Sequence, residues 1–244
     1  MSGFDTGFFI QPRLSSLTRV IGDLRQRGDA AQSEAVTGRP ADLAQHLSGR
    51  VAEAVSLKGT LDRLAAYGET IALTEARTDA TARSLSELRA IAVDLANDAD
   101  TALASGLAAG RATVSASARD ALGRAVAALN VSLGGRTLLA GDATDRAALT
   151  DPDTILAAGQ ALLAGAPAGA LAHGALLAGF TDPAGVYQTT LYTGGTGTAP
   201  RAEIAPGETV GLPLRADSPE LRETLAQIVA LAHAFDGSLP LDRT

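Results

Sequence analysis

A chain of 244 residues, 46% hydrophobic yet only 3% aromatic and without tryptophan, has few large rings for a thick core and favours thin, close-packed helices. Its net charge of −7, with no cluster of Lys and Arg, argues against nucleic acid as a partner. The absence of cysteine removes disulfides, thiol catalysis and thiolate metal sites together.

No uninterrupted apolar run approaches the roughly 18–20 residues of a membrane span, so no membrane insertion is expected. The opening MSGFDTGFFIQPR lacks a basic n-region and carries Asp5 near its front, which makes a poor secretory signal. The expectation is a soluble chain that uses another route if it is exported.

Taken in order, residues 1–13 hold Phe4, Phe8, Phe9 and Ile10 without periodicity and read as a tail. From Leu14 an amphipathic helix begins, marked by Leu14, Leu17, Val20 or Ile21, and Leu24, and it fades through Gly28. Thr37-Gly38-Arg39-Pro40 breaks it, because Gly suits the position after a helix and the residue before Pro avoids helical ψ. A fresh helix is expected to start with Pro40 in its first turn.

The stretch from Ala41 to Leu133 contains no proline and repeats its apolar residues at helical spacing. Leu43, Leu47, Val51, Val55, Leu57, Leu61, Leu64 and Ile71 lead to Leu85, Leu88, Ala92, Leu95 and Ala99. A helix over 42–100 would be roughly 90 Å long and unable to cover its own stripe, so it needs partner helices. A reversal is expected at Ser105–Gly110, then a returning helix with Val114, Ala118, Leu122, Ala125, Leu129 and Leu133 that stops at Gly134-Gly135.

Beyond it, Arg136–Asp142 reads as a short strand entering a turn, and Asp151-Pro152 as an N-cap and N1 proline opening a helix over Pro152–Leu163. Residues 164–179 carry no clear pattern. Three β-rich segments, Val186–Tyr192, Arg201–Ile204 and Thr209–Leu214, suggest a small antiparallel meander. Asp217-Ser218-Pro219-Glu220 starts a last helix over Pro219–Phe235. The expected fold is mainly α: a long antiparallel helical bundle or rod with a small β-rich middle domain. Its parts are 1–40 (tail and terminal helix), 41–134 plus 216–244 (rod), and 135–215 (α+β).

Candidate chemistry is sparse. His46, His173 and His233 lie far apart without metal-ligand spacing. Asp142, Asp145, Asp151 and Asp153 lack the order of a calcium loop and read as caps and solvated loop. Gly194–Thr198 has the glycines of a phosphate loop but no following Lys, and reads as a hairpin turn. No catalytic residue, cofactor or metal site is expected, and the chain does not read as an enzyme.

The order of an amphipathic N-terminal helix, the Thr37–Pro40 break with Asp42, a very long helix, a returning helix and Gly135-Arg136-Thr137-Leu138-Leu139-Ala140-Gly141 resembles the flagellin family. Within that family it is most similar to the hook-associated type of the hook–filament junction. Tyr192-Thr193-Gly194-Gly195 followed by Arg201–Val210 is similar to the family's Y-x-G…R-x-E-I-A-x-G-x-x-V segment. The usual Asn-rich start is replaced by Phe8–Arg13, and only Pro219–Phe235 stands where members carry a long C-terminal helix, which implies a truncated or divergent form.

The resemblance implies a structural, extracellular component of the bacterial flagellum that joins hook to filament. It implies export by the flagellar type III apparatus without a cleaved signal peptide, and self-association into a ring or tube. Its neighbours would be another hook-associated protein and flagellin, with room for an export chaperone. The expected assembly interface is the seam Leu14, Leu17, Ile21 and Leu24 on the terminal helix. The alternatives are flagellin itself and, from another class, a cytoplasmic coiled-coil adaptor.

Overall fold

The computed structural model describes residues 11–42, 46, 49–166, 170–198, 200–211 and 213–234. It is mainly helical, with two small antiparallel sheets. The chain divides into two units, Met1–Ala66 and Tyr67–Thr244, which are described separately. The Phe-rich tail, Leu43, Leu47 and Phe235 fall outside the described residues.

In the first unit, α1 runs over Gln11–Thr37 and does not fade at Gly28. Strong helix formers on its far side (Ala30, Ala31, Gln32, Glu34 and Ala35) outweigh the roughly 1 kcal/mol that one glycine costs. Gly38, at φ +62°, donates its N–H to the Glu34 carbonyl at 2.8 Å and ends the helix in a left-handed turn. Of the restart expected at Pro40, residues 43–45 and 47–48 lie outside the described residues, while His46 is helical and donates its N–H to the Asp42 carbonyl at 3.0 Å. The unbroken helix expected over 42–100 is corrected: Gly49 adopts φ +92°, which no right-handed helix contains, and the continuous helix α2 covers Val51–Ser105.

The second unit takes up α2 from Tyr67. Its buried residues, Thr81, Ser84, Leu88, Ile91, Leu95, Ala99 and Ala102, follow the 3-and-4 spacing of a helix–helix seam. Gly106, at φ +64°, reverses the chain into α3, Ala108–Leu129. The two helices run antiparallel: Ser84 donates its hydroxyl to the Ala128 carbonyl near one end, and Gly110 lies against Ser105 and Ala102 near the other.

The sequence places the end of α3 at Gly134-Gly135, but the helix stops at Leu129. Asn130 terminates it by turning its side chain outward: Oδ1 accepts from the Ala148 and Leu149 amides at 2.8 and 2.9 Å, and Nδ2 donates to the Leu149 carbonyl. Those bonds tie a distant loop to the helix end and outcompete another turn. Gly134 and Gly135, at φ +61° and +75°, then form the tight turn between β1 (Ser132–Leu133) and β2 (Arg136–Thr137). The strand expected over Arg136–Asp142 is therefore only its first two residues.

Helix α4, Pro152–Ala164, is capped by Asp151, whose carboxylate accepts from the Thr154 amide and hydroxyl at 2.9 and 2.7 Å. Helix α5, Ala170–Thr181, occupies the stretch without a clear sequence pattern. The meander is corrected as well. Val186–Tyr192 is not a strand; Tyr187–Leu191 is a single π-helical turn. Its helical spacing buries Tyr187 and Leu191 together, with the Tyr187 ring 5.9 Å from that of Phe180. β3 (Ala202–Ala205) and β4 (Glu208–Val210) pair around Gly207, while Tyr192 bridges Leu149 instead.

Helix α6, Pro219–Ala234, buries Leu221, Leu225, Ala226, Ile228, Val229 and Ala232 and lies closely along α3. Alanines at Ala118, Ala125, Ala226 and Ala232, all fully buried, let helices approach closely. Ser115 on α3 donates to the Ala232 carbonyl at 2.8 Å. Around this pair close Leu139, Leu149, Ile155, Leu176, Phe180 and Tyr187.

Candidate assembly surface

Among the described residues of Met1–Ala66, not one is buried. Along α1, Leu17 is 61%, Val20 57%, Ile21 45% and Leu24 62% exposed. Leu17, Ile21 and Leu24 stand at spacings of four and three, so they share one helical face. Leu14 is helical in its backbone, and its side chain lies outside the described residues. Asp23 and Arg27 form an ion pair at 2.7 Å, both largely exposed.

The first part of α2 repeats the arrangement. Val55, Leu57, Leu61 and Leu64 are each more than half exposed. In contrast, the stripe from Thr81 to Ala102 on the same helix is buried within its own unit, where Ser84 reaches the Ala128 carbonyl of α3. The difference lies in partners, since both stretches carry leucines at helical spacing. An isolated helix of this kind is marginal in water, and most helical stability in proteins comes from packing an apolar face. Each such leucine would gain about 1.5–3 kcal/mol from full burial. The chemistry this surface offers is association.

Among the residues weighed for catalysis and metal binding, His233, Asp142, Asp145 and Asp151 have local contacts. His233 is buried in α6, with Nε2 3.2 Å from the Leu156 carbonyl. Asp142 accepts the Gly197 amide at 3.0 Å, and Asp145 faces Arg146 at 3.8 Å. Hydrogen bonding to Thr154 holds the Asp151 carboxyl below the usual carboxylate range. Gly194–Thr198 folds back as a loop over Gly141 rather than turning between two strands: Tyr192 donates to the Gly195 carbonyl at 2.9 Å, and the Gly195 amide to Ala140. A Cβ at Gly141, which has φ +65°, would meet the Gly195 carbonyl at 2.6 Å. Among the described residues no group of three or more His, Asp or Glu is placed to hold a metal ion, and no described helix is long and apolar enough to cross a membrane.

One polar cluster passed unnoticed in the sequence. Arg215 grips Asp217 with Nε at 2.8 Å and Nη2 at 2.6 Å, and Gln188 donates to the same carboxylate at 3.2 Å. The bond to Asp217 raises the Arg215 pKa further. Burial, then the Asp217 charge, pushes the Tyr192 phenol up to about 12 and drives Tyr187 higher still. The only sequence signal was an Arg two residues before an Asp already assigned to a helix start.

Compared with known proteins, the chain matches no family model, no curated protein and no solved structure.

Proposed function

We propose that the protein is a structural subunit that works by assembly, of the flagellin-like kind that joins hook to filament, exported through the flagellar type III route. One observation carries the assembly reading: the described residues of Met1–Ala66 bury none of their apolar side chains. A surface of that kind gains its stability from neighbours, and association adds to stability by mass action. Repeated head-to-tail contact between identical subunits gives a ring if the rotation closes and a tube if it does not.

The narrower flagellar reading is supported by the ordered segments Thr37–Pro40, Gly135–Gly141 and Tyr192–Val210 around long helices. Flagellin itself shares that support, and cellular copy number separates the two, because a filament subunit far outnumbers a junction ring. The deciding experiment is electron microscopy of a strain deleted for the gene. Hooks without filaments are expected. Normal filaments on hooks, or a protein found only in the cytoplasm, would remove the junction reading.

A further inference from the structure

Beside the first turn of α6 lies an open cavity of about 500 Å³, in the size range of small-ligand sites. Arg215, Asp217, Ser218, Arg222 and Gln188 line it, with Pro183, Pro213 and Pro219 completing the wall. Arg222 is only 8% exposed. Its Nε is shut off from solvent without a hydrogen-bond partner, and no described carboxylate forms an ion pair with it. The hydroxyl of Ser218 is likewise buried and unpartnered.

Asp217 forms no ion pair with Arg222; its two oxygens receive Arg215 twice and Gln188 once. The wall thus holds two guanidinium groups against one carboxylate. A buried Lys, His or carboxyl group can shed its charge by gaining or losing a proton, but a guanidinium cannot. Buried charges are paired as a rule, and leaving one unpaired carries a heavy desolvation penalty. The N-terminus of α6 adds a partial positive charge at the same place.

We propose that this cavity binds a carboxylate, held by the Nη edge of the Arg222 guanidinium, with its apolar body against the prolines. A planar monoanion matches the guanidinium fork and the single excess positive charge. A dianion such as phosphate would meet the Asp217 carboxylate on the same wall. The carboxylate comes either from a free small acid or from an Asp or Glu side chain of another chain.

The test uses the full chain, with arginine Nε–H signals followed by NMR at constant ionic strength. Sodium propionate is the probe for a free acid and a blocked tri-glutamate peptide the probe for a chain-borne one; sodium chloride is the reference. The expected result is one arginine signal that moves saturably and is absent in Arg222→Met, with Arg83→Met as an exposed control. Arg222→Met should melt no lower than the parent in chloride, because it removes an unpaired buried charge. Tighter binding of the peptide assigns the carboxylate to a partner chain, and tighter binding of propionate to a free acid. No saturable movement with either probe, or the same movement in Arg222→Met, would overturn the proposal.

Discussion

Gly159 of α4 lies against Val229 of α6 so closely that a Cβ at position 159 would sit 2.5 Å from the valine Cγ1. Gly159→Ala should therefore destabilise the protein by about 1–3 kcal/mol through overpacking, despite a helix-propensity gain of about 1 kcal/mol. Denaturant midpoints check this, and adding Val229→Ala should recover part of the loss.

The Tyr187 hydroxyl donates to the Ala216 carbonyl at 2.6 Å inside the core. Tyr187→Phe keeps the ring and leaves that buried carbonyl without its donor, a loss of about 1–3 kcal/mol. Equilibrium urea unfolding should show a lower midpoint with an unchanged slope.

Leucines on the two parts of the chain should respond differently to truncation. Leu122, fully buried in α3, should cost about 2–5 kcal/mol when changed to alanine. Leu61, 57% exposed, should shift stability by no more than about 0.5 kcal/mol. Equal losses at the two sites would mean that the first unit is packed after all.

On α1, Leu17→Asp with Leu24→Asp should leave the unfolding of the isolated chain unchanged and abolish self-association in sedimentation. Both side chains stand mainly in solvent, so no internal contact is lost. A misfolded double variant would contradict the assembly seam.

Alkaline pH offers an independent check. The unfolded phenol of Tyr192 ionises near pH 10, whereas in the fold it keeps its proton until about 12. The folded state then holds more protons than the unfolded one, so stability is complete below pH 10 and falls as pH rises toward 12. Tyr187 contributes with the same sign. Tyr192→Phe should show a shallower decline when stability is compared across that window.

Much of the helical framework was legible because its signals are local. Asp151-Pro152 places a cap and a preset φ side by side, and α4 begins there. Gly38 and Gly106 end helices where left-handed residues were expected, and Ser218-Pro219 opens α6. What sequence missed depends on distant partners. Val186–Tyr192 has the β-branched and aromatic content of a strand, yet the bond from Tyr187 to Ala216 and the contact with Phe180 hold it as a helical turn. The early stop of α3 depends on Asn130 meeting Ala148 and Leu149, which no local pattern announces. The Arg222 cavity was hidden for the same reason, since its wall combines residues from 183 to 222.

The open leucines of Met1–Ala66 also determine what any survey of variants can detect. A screen that scores solubility or melting of purified chains would register damage at Leu122 and pass changes at Leu17, Leu24 or Leu61 as silent. Selection on cells that need the proposed assembly would register those positions as well as Leu122. Disagreement between the two maps would outline the contact surface residue by residue.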